Sequence, residues 1–299
     1  MFAHVIVDVT GPEDVQWIEV AEPAAGDGVV MDVSAAGVSF ADLLQTKGAY
    51  QMKVPVPYTP GMGAAGVVRS APPGLGLVAG QRVAVLLSHG CWQEAISAPA
   101  ERVLPLPEDM SVEAGAAGGL GSAAIQLGRA LGLRTVAVVG DEGKRQFAVQ
   151  RGADHAVLSG GWLAAVRDLL GERVVDIVVD PVGGDRMTDS LRSLAPEGRV
   201  LVLGFAGGEI PAVKVNRLLL GNIGVLGVAS REFFEQHPAA VARLWARLID
   251  LRRAGVLPDP PVQLYPFADA RGALRAIAAR QAKGTVVLSR QAAVSPLPG

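Results

Sequence analysis

The chain has 299 residues, 50% of them hydrophobic, and its formal net charge at pH 7 is -2. This length suggests one large or two ordinary domains, and the balanced charge gives no indication of a nucleic-acid partner. The single cysteine, Cys91, excludes a disulfide framework and a multi-cysteine zinc site, and it is typical of the reducing cytoplasm. No apolar run is long enough to cross a bilayer, and no signal peptide is recognisable. We therefore expect a cytoplasmic protein without membrane or nucleic-acid partners.

The first part of the chain is predicted to be rich in β-strands. Glycine and proline residues separate short apolar runs, which predict strands at residues 3–9, 29–35, 65–69 and 82–86.

From residue 118 onward, helices and strands alternate. Strands are predicted at residues 134–139, 155–158, 174–179, 199–203 and 223–228, and helices at residues 122–131, 142–151, 162–170 and 185–194. Long helices at residues 238–254 and 268–283 and a strand at 285–288 follow. The alternation predicts an α/β fold with a doubly wound parallel sheet. The β-branched run at residues 174–179 predicts a strand that is buried on both faces.

A glycine-rich turn precedes the first helix of this second part. It comprises Gly118, Gly119, Leu120 and Gly121, and such a turn lets backbone N–H groups approach a pyrophosphate. The turn should follow a buried strand, but residues 105–114 contain prolines and acids that do not suit a central strand. The sequence therefore predicts a dinucleotide site that lacks part of its usual frame. An ordinary glycine-rich turn is the alternative.

These motifs together resemble a known family. Residues 116–121, with Gln126 and Arg129, are similar to the signature of the zinc-independent quinone oxidoreductases, the ζ-crystallin-like group of the medium-chain dehydrogenase/reductase superfamily. Further similar segments lie at residues 37–44, 48–50, 60–62, 80–83 and 179–184. The resemblance covers nearly the whole chain. It implies a β-rich, GroES-like catalytic lobe (residues 1–113 and 258–299) and a Rossmann-type dinucleotide-binding lobe (residues 114–257).

The chain departs from this family pattern before the glycine turn. Family members carry a helix, a connector and the first Rossmann strand there, so roughly thirty residues, about one supersecondary unit, are missing. We expect the sheet to begin at residues 134–139, with the strand at 199–203 facing a gap. Residues 110–122 are expected to be the least rigid part of the dinucleotide-binding lobe.

The resemblance also implies NADPH as the cofactor. NAD-using relatives place an acid at the position of Val139, whereas NADPH-using relatives pair the residues that match Gly140 and Lys144 with an arginine that matches Arg280. Solvated helix cations are the alternative for Lys144 and Arg280. Asp141 either binds a ribose or caps the following helix.

The remaining candidates concern the reaction itself. The resemblance implies hydride transfer to a small apolar quinone or α,β-unsaturated carbonyl, as in quinone oxidoreductases and enoyl-type reductases, with no metal. Gly204 and Phe205 would line the nicotinamide site, and Ser39 and Tyr50 would face the substrate. The alternatives are a loop cap for Ser39 and a half-buried aromatic for Tyr50. Cys91 is expected to be a buried filler rather than a zinc ligand.

The strand from Ile223 to Val228 is predicted to form a homodimer interface. It is short and apolar, which fits an edge strand, and relatives in the resembled family dimerise through the matching strand. An ordinary internal strand is the alternative. A second hypothesis for the whole protein is a dimeric scaffold of the same fold with impaired catalysis, because the missing strand leaves a gap in the sheet.

Overall fold

The computed structural model describes residues 1–24, 26, 28–51, 53–116, 119–282 and 284–292. It divides into two compact units, which we call unit 1 (Met1–Gly119 and His237–Gly299) and unit 2 (Leu120–Gln236). The predicted lobe boundaries lay elsewhere because they assigned the long helix at residues 238–253 to the dinucleotide-binding lobe. In the structure Ile249 of this helix is buried in an apolar cluster with Ala35 and Ala65, and its Trp245 Nε1 donates to the Pro105 carbonyl at 3.0 Å.

Unit 1 is built on a seven-stranded sheet in the order β13-β14-β3-β4-β5-β7, with β6 also paired to β3 and a separate β1-β2 hairpin. Its strands are β1 (Phe2–Ile6), β2 (Val15–Glu19), β3 (Val29–Val38), β4 (Gly63–Ser70), β5 (Arg82–Leu86), β6 (Ala95–Ala98), β7 (Val103–Pro105), β13 (Val262–Pro266) and β14 (Thr285–Ser289). Its helices are α1 (Phe40–Thr46), α2 (Val112–Ala116), α9 (Pro238–Arg253) and α10 (Ala270–Ala278). The short strands β2, β6, β7 and β13 were not predicted.

Strand β3 is the centre of this unit because it pairs with β14, β4 and β6. Its Met31, Val33 and Ala36 are fully or almost fully buried, and Trp92 and Leu274 are buried in the same cluster. Helix α2 is also buried here, where the Ser289 hydroxyl donates to Glu113 Oε1 at 2.9 Å. Part of the segment 110–122, which was expected to be the least rigid, thus forms a helix with buried residues in unit 1.

Helix α1 begins with a capping box that also connects the helix to the loop at Gly61. The Ser39 hydroxyl and backbone N–H both donate to Asp42 Oδ2, at 2.6 and 2.7 Å, and the Gly61 N–H donates to Oδ1 at 3.2 Å. Gly61 has φ +92°, and a Cβ there would lie 2.2 Å from Trp92 Cδ1, so only glycine fits. Burial raises the pKa of Asp42 to about 6, although these hydrogen bonds act in the opposite direction.

Unit 2 contains two separate parallel sheets. The first pairs β8 (Val136–Val139) with β9 (His155–Leu158), and the second has the order β10-β11-β12 (Val175–Asp180, Leu194–Val202 and Gly224–Gly227). The helices are α3 (Leu120–Ala130), α4 (Glu142–Gln150), α5 (Trp162–Leu170), α6 (Met187–Ser193), α7 (Asn216–Gly221) and α8 (Ser230–Gln236). The parallel pairing and the missing strand of the predicted fold are confirmed.

The position of the gap differs from the prediction. Val200 of β11 is fully buried, because β11 pairs with β10 on one side and β12 on the other. The gap lies between β8 and β10, which share no ladder pairing among the described residues. Consequently Ile177 and Val179 of β10 are 48% and 40% exposed, so the prediction that this strand is buried on both faces was wrong.

No helix in the described part of the chain is both long and apolar enough to cross a membrane.

The buried Asp42 carboxyl predicts a specific pH dependence of stability. Because its pKa is 3.8 in the unfolded chain and about 6 in the folded protein, the folded state binds the proton more tightly. Its contribution to stability is therefore complete below the unfolded pKa and is lost as the pH rises through 6. Relative to Asp42→Asn, the wild-type free energy of unfolding should rise by about 1.4 kcal/mol per pH unit on acidification from pH 6 to pH 4.

Urea unfolding followed by tryptophan fluorescence measures this difference. A Trp162→Phe background leaves only tryptophans of unit 1 as reporters. The control Asp8→Asn, at an exposed aspartate, should keep the wild-type pH dependence. A difference between wild type and Asp42→Asn that does not change with pH would contradict the assignment.

Candidate functional site

The glycine turn leads directly into helix α3. Gly118 lies outside the described residues, while Gly119 precedes the helix and Leu120 begins it. Leu120 is 54% exposed, and a Cβ at Gly121 would have no atom within 4 Å. The start of the helix is therefore open at Leu120 and Gly121, and the dipole at a helix N-terminus suits an anion.

A second group of predicted residues follows strand β8. A Cβ at Gly140 would meet nothing within 4 Å, so this position is open. Asp141 is the N-cap of α4, and its Oδ1 accepts from the Lys144 backbone N–H at 2.9 Å, which lowers the pKa of Asp141. The Lys144 ammonium lies 3.6 Å from Asp141 Oδ2 and is partly exposed. Of the two predicted roles of Asp141, the structure therefore shows the helix cap.

The third group lies at the carboxyl ends of β10 and β11. Asp180 is buried, and its Oδ1 accepts from the N–H groups of Val182 and Gly183, both at 2.9 Å. Gly183 has φ +68°, and a Cβ there would lie 2.9 Å from Phe205 Cδ1. A Cβ at Gly204 would be 3.4 Å from the Pro181 carbonyl oxygen. Gly204 and Phe205 therefore sit directly against the loop that Asp180 orders.

The predicted substrate residues lie in unit 1. Ser39 is the N-cap of α1, so its hydroxyl proton is already donated to Asp42. Tyr50 is half-buried and, together with Gln45 and Tyr58, lines a small depression in this unit. Burial, together with the nearby Asp42 charge, raises the pKa of Tyr58 to about 12. The Tyr58 hydroxyl is thus a neutral donor rather than a base.

Two residues of this region were missed by the sequence analysis as site candidates. Asp42 was seen only as part of a motif, although its burial and its bonds to Ser39 hold the predicted substrate residue in place. Gln45 is 3% exposed, and neither polar atom of its side chain has a hydrogen-bond partner among the described residues. The i, i+3 spacing of Asp42 and Gln45 in an apolar segment was the available signal.

Arg280 is an exposed residue with φ +56° just after α10, in unit 1, whereas Lys144 belongs to unit 2. Cys91 is fully buried, and burial followed by the Asp42 charge raises the pKa of its thiol. Across the described ranges, no group of three or more His, Cys, Asp or Glu side chains is arranged to hold a metal ion.

Comparison with known proteins agrees with this organisation. Residues 25–108 match the family described as alcohol dehydrogenase GroES-like domain, and residues 119–246 match the family described as zinc-binding dehydrogenase. The rat protein named quinone oxidoreductase-like protein 2 is 31% identical over 322 aligned positions, which cover 96% of this chain and 91% of the relative. Because 322 positions exceed the 299 residues of this chain, the relative has residues where this chain has gaps.

Solved structures give the same result over almost the full length. A probable oxidoreductase from Mycobacterium abscessus has 35% sequence identity and a TM-score of 0.85, covering 97% of this chain and 98% of that chain. A mycobacterial protein whose structure was solved with NADPH has 26% identity and a TM-score of 0.85, covering 97% and 100%. Fold, domain matches and a nearly full-length relative agree, and the chain belongs to the zinc-independent quinone oxidoreductase group of the medium-chain dehydrogenase/reductase superfamily.

Proposed function

We propose that this protein is a cytoplasmic reductase that binds NADPH and transfers hydride to a small apolar quinone or α,β-unsaturated carbonyl without a metal ion. The observation that carries the proposal is the open Gly140 beside Lys144 at the end of β8, where Val139 stands instead of an acid. An ammonium beside an open glycine can bind and donate to a 2′-phosphate, whereas a ribose hydroxyl is normally bound by an acid. The mycobacterial relative solved with NADPH supports the same cofactor.

The residues of unit 2 suit the rest of this cofactor. The turn from Gly119 to Gly121 presents an open helix N-terminus for the pyrophosphate, and nothing occupies the space that a Cβ at Gly121 would fill. Gly204 and Phe205 contribute to the nicotinamide site in this proposal. When bound, NADPH supplies the hydride, and the chain supplies binding and orientation.

Ser39 and Tyr50 take complementary roles in this proposal. The Ser39 hydroxyl donates to Asp42, so its oxygen retains only acceptor capacity and suits an N–H or O–H donor. Tyr50 carries a phenolic O–H, a group that can donate to the carbonyl oxygen of the acceptor substrate.

We also propose a homodimer through β12. Among the described residues this strand pairs with β11 alone, and Leu226 is 55% exposed. The Val228 N–H donates to the Val202 carbonyl, so by alternation the N–H groups of Val225 and Gly227 face the unpaired edge. A second copy can pair with this edge through a two-fold axis.

The alternative function is a dimeric scaffold with little or no cofactor turnover. The observation that favours it is the gap between β8 and β10, which separates the strand before Lys144 from the strands before Gly204. A cofactor that spans these groups would be held less firmly if the two sheets move independently.

Replacing Lys144 tests the cofactor assignment. Lys144→Ala should weaken NADPH binding by about tenfold, since a charge-assisted hydrogen bond contributes on the order of 1.5–3 kcal/mol, and should leave NADH binding nearly unchanged. Fluorescence titration with both nucleotides measures this. Arg145→Ala is the matched control, because its guanidinium is already paired with Glu142 at 2.8 Å. Equal weakening of both nucleotides would refute the phosphate role.

Catalysis is tested by following NADPH oxidation with quinone and enone acceptors before and after chelator treatment. We expect turnover with at least one acceptor class, unchanged by the chelator, and no stoichiometric zinc in the purified protein. Loss of turnover on removal of zinc would overturn the metal-free mechanism. A dimer that binds NADPH and reduces neither class would favour the scaffold.

The dimer is tested with Val225→Pro, which removes an edge-facing N–H while the ladder to β11 keeps its donors. Sedimentation at micromolar concentration should show a dimer for the wild type and for the control Val225→Ala, and a monomer for Val225→Pro. A monomeric wild type would refute the interface.

A further inference from the structure

Gln45 lies near the end of helix α1 and is 3% exposed. Neither its Nε2 nor its Oε1 atom has a hydrogen-bond partner in the described part of the chain. A glutamine amide offers two N–H donors and an acceptor oxygen, and burying these groups unpaired costs free energy. A leucine of similar size would avoid this cost. The amide therefore reduces the stability of the ligand-free protein, which is typical of a residue that serves binding.

The Gln45 side chain lines the small depression of unit 1, which has a volume of about 20 Å³. The other residues that line it are Val9, Gly48, Tyr50, Lys53, Val54 and Tyr58. This volume holds one water molecule or one hydroxyl group. Val9 and Lys53 are exposed, so the depression opens to solvent, and the rest of a bound molecule can extend outward from it.

The polar groups that line this depression are mostly donors. The Lys53 ammonium donates to the Gly48 carbonyl at the exposed rim, and Tyr58 keeps its phenolic proton because burial and the Asp42 charge raise its pKa to about 12. Gln45 adds two N–H donors and one acceptor oxygen. A hydroxyl group is complementary to this set, since its oxygen accepts from an N–H or a phenol while its proton is donated to Gln45 Oε1. A carboxylate is larger and has no proton for Oε1.

We propose that Gln45 is a specificity-determining residue, and that the depression it lines binds a hydroxyl group carried by an otherwise apolar acceptor substrate. The identity of the ligand as the acceptor rests on the proposed function. Tyr50, which we assigned to the acceptor carbonyl, lines the same depression, so one small molecule can present its carbonyl and its hydroxyl group to the two residues. A water molecule offers the same hydrogen bonds, and the experiment distinguishes these two sources of the hydroxyl.

The probes are 4-hydroxy-2-cyclohexenone and 4-methyl-2-cyclohexenone, which share the ring and the carbonyl and differ in the hydroxyl group. Saturation-transfer difference NMR measures their affinity for the full chain without nucleotide, so the result does not require turnover. The wild type should bind the hydroxyl compound about tenfold more tightly. Gln45→Leu and the unbranched Gln45→Met should bind both probes equally, through a loss confined to the hydroxyl compound. Gln16→Leu, at an exposed glutamine of unit 1, should keep the wild-type ratio.

Thermal unfolding without ligand separates this role from a packing role. Gln45→Leu should unfold at the wild-type temperature or above it, because the substitution removes buried polar atoms that lack partners. Equal affinity of the wild type for the two probes would show that the depression holds water only, and it would overturn the proposal. A preference that persists in Gln45→Leu and Gln45→Met would overturn it as well. Turnover of both probes with NADPH is measured separately, and a binding preference without turnover would contradict the reductase and not the hydroxyl subsite.

Discussion

The structure of unit 2 depends on the hydrogen bonds that β8 and β10 do not make to each other. Parallel strands are stable when each neighbour completes the backbone pairing, and a buried N–H or C=O without a partner costs about 1–3 kcal/mol. Here the groups of Val136, Val138, Ile177 and Val179 have no strand beside them in the described residues. The side chains of Val138, Ile177 and Val179 are exposed and that of Val136 is half-buried, which indicates that most of these edges reach water rather than remaining buried and unpaired. At the gap, the edges of β8 and β10 are therefore hydrated instead of being buried inside a complete sheet.

Unit 1 has no comparable break at its centre. The segment that leads out of its sheet is held from several directions: the Arg82 guanidinium donates to the Glu108 carbonyl at 2.8 Å and to the Met110 carbonyl, and Arg252 of α9 lies 2.8 Å from Asp109. Helix α2 follows and is buried. The departure from the family pattern thus follows a well-anchored segment, and the unpaired strands β8 and β10 lie in unit 2.

The sequence predicted most elements of unit 2, because β-branched runs and capped helices carry their own local signals. The helix at residues 162–170 and the strand at 155–158 have the predicted bounds. The neighbour of the gap was predicted wrongly. Strand order in a parallel sheet is set by crossover connections and not by sequence adjacency. The strand that lacks a partner at the gap is β10, whereas β11 is paired on both sides.

The candidate site was predictable only where a motif had a local cause. Asp141 caps α4 by accepting a hydrogen bond from the backbone N–H of Lys144, three residues further along the chain. Its position directly before the predicted helix was therefore enough to suggest the helix cap. The role of Asp42 was not visible, because its burial depends on Gly61 and on Trp92, which lie far from it in sequence. Arg280 belongs to unit 1 and Lys144 to unit 2, and this division of the chain likewise depends on tertiary packing.

Residue-resolved hydrogen exchange of the free protein tests the central claim most directly, since backbone amides on alternate residues face opposite sides of each strand. The account predicts that the amides of Val138, Ile177 and Val179 exchange rapidly, while those of Ala137 and Val178, which are paired with β9 and β11, are protected. Equal and strong protection of all five amides would show that another segment completes the sheet, and it would contradict the gap on which this description of unit 2 rests.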